Sequence, residues 1–151
     1  MMFYAASIAL ILDRLTKHIA VNNMFEGQSV KVFPGIFHLT LVLNKGAAFG
    51  LLKDQKMLFV ALSVLVIIFI IYYTLSKKTT DRAALIALGL VLGGAVGNLI
   101  DRVRLGYVID FLDLGIWPVF NIADSCITIG AAILILKMFL RKRDLHAPYI
   151  G

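Results

Sequence analysis

The sequence predicts a membrane all-α bundle of four transmembrane helices, with a small extracytoplasmic β-sheet between helices 1 and 2. Of its 151 residues, 60% are hydrophobic and only 16% are charged, whereas a soluble domain carries roughly 25% charged residues. Residues 57–75 and 83–100 contain no charge, and each run is long enough to cross a hydrocarbon core of ~30 Å as a helix. We predict helices over about 2–22, 57–75, 83–101 and 117–140, and an external β region over about 27–50, within a single domain spanning 1–151.

Helix 1 is apolar apart from three charged residues near its middle. Asp13 and Lys17 stand four residues apart, so they share one helix face and can form an ion pair. Arg14 points elsewhere, and we expect it to extend toward the outer membrane interface. The segment lacks a basic N-terminal region and a small-residue cleavage site, so we expect it to be retained and not removed as a signal peptide.

The stretch after helix 1 is too polar to span a membrane and too long for a simple turn. Between residues 37 and 44, leucine and phenylalanine alternate with other residues, which is the period-two pattern of a strand. Gly27 and the Pro34–Gly35 pair supply turns. We therefore predict a small sheet at the outer membrane face. The small residues of 44–50 (NKGAAFG) let the backbone come close to a ligand, although a tight turn onto helix 2 would need them equally.

The remaining helices differ in their polar content. Helix 2 has no polar feature of note and is interpreted as scaffold. In helix 3 a glycine recurs every four residues, which favours close helix packing: Gly89, Gly93 and Gly97. At its end, three polar residues at i, i+3 and i+4 share one face: Asn98, Asp101 and Arg102. In helix 4, Asn121 and Asp124 are three apart.

The net charge of +6 is distributed in a way that indicates membrane topology. Basic residues fill the linker between helices 2 and 3 and follow helix 4. Because basic residues concentrate in cytoplasmic segments, this linker and the C-terminus are expected in the cytoplasm, and four spans put the N-terminus there too. We attribute the basic excess to topology and expect no nucleic acid partner.

The stretch from 97 to 124 is unusually acidic for its apolar surroundings. It holds four of the nine carboxylates: Asp101, Asp110, Asp113 and Asp124. Charged groups in or beside a hydrocarbon layer are costly and mark functional sites. With a helical rise of ~1.5 Å per residue, Asp13, Asn98 and Asp124 all fall in the outer half of the membrane. Asp110, in the external connection between helices 3 and 4, can reach the same level.

Among the chemistries available, paired carboxylates fit the sequence best. There is no GxSxG around a serine and no base beside the single cysteine, and the three histidines contain no HExxH motif, so no metal site is expected. Two close aspartates share a proton, so that one can activate water while the other protonates a carbonyl oxygen. Asp124 lies in an apolar helix without an adjacent cation, which favours a catalytic role. Asp101 and Asp110 compete as its partner, and Asp101 could instead join Arg102 in a helix-end ion network. Asp113 is interpreted as a solvated loop acid.

These polar residues fall into five motifs that span nearly the whole chain. In order, they are DRLTK (13–17), NKGAAFG (44–50), GNLIDR (97–102), GYVIDF (106–111) and FNIADS (120–125). Together they resemble the pattern of the lipoprotein signal peptidases, also called type II signal peptidases.

The resemblance implies roles for the candidate residues. It implies that Asp110 and Asp124, in the V-[VI]-D-F and F-N-x-A-D motifs, are the catalytic aspartates. It also implies active-site or substrate-contacting positions for Asn44, Asn98, Arg102 and Asn121, and supporting positions for Asp13 and Lys17. We expect Asp101 and Arg102 to hold the geometry, and the loop at Gly46 to close over the substrate.

The resemblance further implies an aspartic endopeptidase of the bacterial plasma (inner) membrane. Such an enzyme cleaves prolipoprotein signal peptides immediately before the diacylglyceryl-modified cysteine, next to membrane lipids at the outer leaflet. It uses no metal or cofactor and is blocked by cyclic peptides of the globomycin type.

Two other functions are compatible with intramembrane acids. A small proton-coupled transporter would use them to carry protons, but the external strand and the asparagines around the acids argue against it. A presenilin-like protease would need a GxGD motif and more helices than this chain has.

Overall fold

A computed structural model of the chain describes residues 1–46, 55–76 and 81–144, with the backbone alone for 141–144. The helices are α1 (Met2–Asn23), α2 (Lys56–Ser76), α3 (Arg82–Arg104) and α4 (Ile122–Asp144). The strands are β1 (Ser29–Phe33), β2 (Phe37–Asn44) and β3 (Val108–Asp113). The predicted combination of long apolar helices with a small sheet is confirmed. Several residues used in the predictions lie outside the described ones: 47–50 of the small-residue loop, Lys77 and Lys78 of the basic linker, and the side chains of 141–143.

Within the described residues, three helices are long and apolar enough to cross a membrane. They are α2, α3 and the part of α4 from Ile122 to Leu140. Helix α1 has 22 residues, or about 33 Å at the helical rise, but it carries the charged residues Asp13, Arg14 and Lys17. The chain is therefore a multi-pass membrane protein, and the count of four spans stays a prediction.

Helix α3 is the centre of the bundle and contacts each of the other three helices. Half of the residues in the most apolar 18-residue stretch of α3 are buried. The corresponding share in α2 is 6%, so α2 presents most of its surface outward. The predicted close packing is confirmed, because a Cβ atom built at Gly89 or Gly93 would overlap the backbone carbonyls of Met2 and Ala6 in α1. Gly94 faces the Ala123 carbonyl of α4 in the same way. Small residues thus bring both α1 and α4 against α3.

The three strands form an antiparallel sheet with β2 in the middle. Gly27 and Gly35 have φ values of 82° and 77°, which glycine adopts without strain, and they provide the predicted turns. Leu41 of β2 is buried in an apolar cluster with Ala20 of α1 and Ile109 of β3. The apolar face of the sheet therefore packs against the helix ends where α1 finishes and α4 begins.

The connection between α3 and α4 differs from the sequence prediction in two respects. The sequence pattern predicts no strand in this connection, whereas residues 108–113 form β3 and pair with β2. Helix α4 begins at Ile122 and not near Trp117, because Phe120 exchanges backbone hydrogen bonds with Leu112 at 3.0 and 2.8 Å. Residues 117–120 are apolar although they lie outside the helix, and composition alone could not distinguish them from a helical turn.

Candidate active site

A cavity of about 210 Å³ lies where the end of α3, the start of α4 and the sheet meet. One part of its wall is polar and consists of Asn44, Arg102, Asp110 and Asp124. The other part is largely apolar and contains Val108 and the consecutive residues Trp117, Pro118, Val119 and Phe120. Gly46 also lines the cavity. Of the competing acids, Asp110 and Asp124 face this cavity together.

Asp110 is a buried strand residue held by two amides. Asn44 Nδ2 donates to its Oδ2 at 2.8 Å, and Asn121 Nδ2 donates to its Oδ1 at 2.7 Å. The Asn44 amide is itself oriented, because its Oδ1 accepts from the Gly46 backbone N–H at 2.9 Å. Burial in β3, outside the helices, raises the pKa of Asp110 to about 7, and the charge of Asp124 adds to the rise while the two amides oppose it. Near neutral pH this carboxyl therefore exists in both protonation states.

Asp124 occupies the first turn of α4, where the sequence had placed it inside a longer helix. Its backbone N–H donates to Asn121 Oδ1 at 2.9 Å, while its own Oδ2 accepts from the Asn121 N–H at 3.3 Å. This reciprocal pair is a capping box that fixes both side chains. The position also puts the carboxylate at the positive end of the α4 dipole, which stabilises a negative charge.

Two asparagines connect the carboxyl groups. Asn98 Nδ2 donates to Asp124 Oδ1 at 2.8 Å. Asn121 Nδ2, which donates to Asp110, also lies 3.1 Å from Asn98 Oδ1. A continuous set of hydrogen bonds therefore runs from Asp110 through Asn121 and Asn98 to Asp124.

A fully buried ion network supports these amides from α1. Lys17 Nζ lies 3.0 Å from Asp13 Oδ2 and 2.8 Å from Asp101 Oδ2, which confirms the predicted pairing of Asp13 with Lys17. The same Nζ donates to Asn98 Oδ1 at 2.9 Å. Because Asn98 Oδ1 accepts from Lys17, its Nδ2 faces Asp124.

Asp101 and Asp13 each bind groups on other secondary-structure elements. In the described part of the chain, the ion pairs of Asp101 are with Lys17 and Arg14, and not with the adjacent Arg102. Arg14 thus pairs with Asp101 while its side chain stays one-third exposed, and its extension toward the outer interface stays a prediction. Asp101 Oδ2 also lies 3.4 Å from the Ile109 N–H, next to Asp110. Asp13 Oδ1 accepts from the Ala123 N–H at 3.1 Å, at the start of α4.

Arg102 and Asp113 have different surroundings. The Arg102 guanidinium lies over the Phe59 ring of α2, 5.1 Å from its centroid, where it also lines the cavity. Asp113 ends β3 and accepts from Thr40 Oγ1 at 2.6 Å and from the Gly115 N–H at 2.8 Å. These hydrogen bonds lower the pKa of Asp113. Its partners organise the turn after β3, so it is a turn acid at the end of a strand.

Sequence reasoning missed Arg14, Phe59 and the wall formed by 117–120. The Trp117–Pro118 pair was the available signal for the wall, because the residue before a proline is disfavoured in the helical conformation. Among residues 1–46, 55–76 and 81–144, no three His, Cys, Asp or Glu side chains form a group that could hold a metal ion.

Comparisons with known proteins bear on this geometry. A family model described as signal peptidase (SPase) II matches residues 5–140. The lipoprotein signal peptidase of Halothermothrix orenii is 43% identical over 143 residues, covering 95% of this chain and 98% of the relative. That of Moorella thermoacetica is 48% identical over 136 residues, covering 89% and 90%. A bacterial membrane enzyme solved by the in meso method at 2.3 Å resolution superimposes with a TM-score of 0.91 at 31% identity, covering 99% of this chain and 94% of that one.

Proposed function

This chain belongs to the signal peptidase II family, and from that premise we propose that Asp110 and Asp124 are a catalytic aspartate pair that activates water. Membership makes the protein a multi-pass bacterial membrane protease that removes signal peptides from prolipoproteins. One observation carries the proposal. The two carboxyls line one cavity and are connected through Asn121 and Asn98.

The different surroundings of the Asp110 and Asp124 carboxyls favour different roles in proton transfer. Asp124 lies at the N-terminus of α4, which stabilises its negative charge, so it is the group that takes a proton from the attacking water. Asp110 has a pKa raised to about 7 by burial, so at or below neutral pH it holds a proton that it can donate to the scissile carbonyl oxygen. In the second step Asp124 returns its proton to the leaving amine, and Asp110 takes one back from the tetrahedral intermediate.

The surrounding residues supply orientation. Asn44 and Asn121 hold both oxygens of Asp110, and Asn98 holds Asp124. Arg102 lines the cavity as a cation that can bind a substrate carbonyl oxygen. The buried groups Asp13, Lys17 and Asp101 are supporting residues that fix these amides. Gly46 lines the cavity, and closure of its loop over the substrate stays a hypothesis because residues 47–50 lie outside the described ones.

The positions of the charged residues support an active site near the outer leaflet. The aspartates lie at the end of α3 and the start of α4, whereas Asp81 and Lys137 pair at 2.5 Å at the opposite ends of these helices. If the basic end is cytoplasmic, both termini are cytoplasmic and α1 is the fourth span. The lipid of the substrate then stays in the outer leaflet while the bond before its diacylglyceryl-cysteine enters the cavity. Cyclic peptides of the globomycin type would compete for the same space.

Cleavage of a lipidated prolipoprotein by the purified protein tests the proposal. We expect Asp110→Asn and Asp124→Asn each to lower cleavage by at least about 10⁴-fold, because neither amide can complete the proton transfers. Asp81→Asn, at the opposite end of α3, is the matched control and should cleave at the wild-type rate, because asparagine also caps the helix. Robust cleavage by either dyad variant, with an unchanged thermal unfolding midpoint, would contradict the assignment. Proton-driven solute flux in liposomes without proteolysis would favour the transporter.

A further inference from the structure

The reaction brings a lipid next to the aspartates. Under the proposed function, the scissile bond lies immediately before the cysteine that carries the diacylglyceryl group. The thioether of that cysteine is therefore only a few bonds from the carbonyl held between Asp110 and Asp124. A cavity that accepts this carbonyl must also provide an apolar path along which the acyl chains leave.

Apart from Val108, the apolar part of the cavity wall is one continuous piece of chain. Its four residues, Trp117, Pro118, Val119 and Phe120, all line the cavity that both aspartates share. They belong to the loop between β3 and α4.

This loop is fixed at both ends. Phe120 exchanges backbone hydrogen bonds with Leu112 and accepts another from Phe111 at 3.0 Å. At the other end, Gly115 has a φ of 74°, and its N–H donates to Asp113 Oδ1 at 2.8 Å. The residues between them are therefore held in place beside the dyad.

The same loop carries apolar surface from the cavity to the outside. Trp117 lines the cavity and is still 58% exposed, and the preceding Ile116 is 93% exposed. An isoleucine that packs against almost nothing in its own fold, next to a tryptophan at a cavity mouth, indicates a surface that binds an apolar ligand.

We infer that Trp117 and Ile116 form a subsite for an acyl chain of the substrate's diacylglyceryl group. The inference rests on the proposed function and deepens it. The indole ring guides the glyceryl end of the lipid away from Asp110 and Asp124, and Ile116 contacts the methylenes that follow. The subsite thereby selects lipidated over unlipidated precursors.

Another exposed isoleucine provides a matched control. Ile36, in the turn between β1 and β2, is 69% exposed. Its turn lies at the same end of the sheet as the 114–117 loop, because His38 pairs with Asp113. In the described part of the chain Ile36 is not among the cavity-lining residues. If the apolar loops merely adsorb to the bilayer, Ile36 and Ile116 will behave alike.

The test compares two synthetic precursors that differ only in acyl length. One carries dipalmitoylglyceryl-cysteine, the other dibutyrylglyceryl-cysteine, and kcat and KM are measured for both in the same detergent. The readout is the ratio of kcat/KM for the long-chain and short-chain substrates. Burying one methylene changes affinity by about fourfold, so we expect Trp117→Ala and Ile116→Ser each to lower this ratio by about tenfold, through KM for the long-chain substrate. Trp117→Phe should restore most of it, and Ile36→Ser should keep the wild-type ratio.

Three results would overturn the subsite. They are an unchanged ratio in both variants, an equal loss for both substrates, or the same loss of ratio in Ile36→Ser, which would indicate bilayer adsorption. Ile116→Ser keeps the test valid if Trp117→Ala does not fold. Failure of the proposed function looks different, because the wild type would then cleave neither precursor, or Asp110→Asn would cleave both.

Discussion

Lys17 shows how a single buried residue supports the proposed chemistry. Its ammonium neutralises Asp13 and Asp101 and orients Asn98, all without access to water. Removing one member of a buried ion network leaves the others uncompensated, which costs about 3–5 kcal/mol.

We therefore predict that Lys17→Met strongly lowers the thermal unfolding midpoint and abolishes cleavage. The control is Lys137→Met, which removes the partly exposed pair with Asp81 and should cost no more than about 1 kcal/mol. Equal, small effects of the two substitutions would show that the network around Lys17 is not what holds α1 in place.

At the residue scale, the sequence predicted contacts between near neighbours and missed those between distant segments. The pairing of Asp13 with Lys17 follows from helical spacing alone. The pairing of Arg14 with Asp101 joins residues 87 positions apart. It depends on how α1 is rotated against α3, which the spacing of charges does not reveal. For the same reason the sequence left Asp101 and Asp110 as competing candidates until the motif resemblance separated them.

At the scale of elements, Asn121 has two tasks. Its Oδ1 caps α4, whereas its Nδ2 donates to Asp110. Aspartate is an equally good N-cap residue, but it has no amide to donate and adds a negative charge.

We predict that Asn121→Asp lowers kcat/KM about 100-fold, the usual loss for one catalytic hydrogen-bond donor, and also lowers the unfolding midpoint, because the new carboxylate is buried against Asp110. Asn121→Ala should lose both stability and activity. The exposed Asn22→Asp is the control for the added charge. An Asn121→Asp variant with wild-type kcat/KM would rule out the donor role.

The elements that the sequence predicted are those with a regular period and unbroken composition. Helices α2 and α3 are uninterrupted apolar runs, and β2 alternates over its full length. Strand β3 was missed because only six residues carry it and its identity depends on the partner β2. The start of α4 was placed too early because the apolar residues 117–120 resemble the helix that follows.

At the scale of the whole molecule, packing against α3 brings the polar residues of separate segments to one level. The sequence analysis predicted this convergence, because the helical rise put the polar residues of separate helices at similar depths in the membrane. It could not give the close approach of the helices, in which a Cβ at Gly97 would lie 2.5 Å from Asp13 Oδ2. Only a glycine leaves room there for the carboxylate that caps α4.

The orientation of the whole molecule can be measured with single cysteines. In a Cys126→Ser background, Glu26→Cys lies in the connection from α1 to β1, and Ser76→Cys ends α2. We predict that a membrane-impermeant thiol reagent added to intact cells with a permeable outer envelope labels residue 26 and not residue 76, since the sheet faces outward. Disruption of the cells should make both accessible. Labelling of residue 76 alone in intact cells would show that the topology is inverted and that the cavity lies on the cytoplasmic side.

The central claim is that Asp110 and Asp124 share one catalytic proton, and the pH dependence of kcat/KM tests it most directly. The pKa of Asp110 is raised to about 7 by burial and by the charge of Asp124. The carboxyl is therefore protonated below this pH and loses its proton as the pH rises through it. Because the proposed mechanism needs that proton, kcat/KM for a lipidated precursor should fall about tenfold per pH unit above about 7. A kcat/KM that stays constant from pH 6 to pH 9 would contradict the shared proton and with it the proposed roles of the two aspartates.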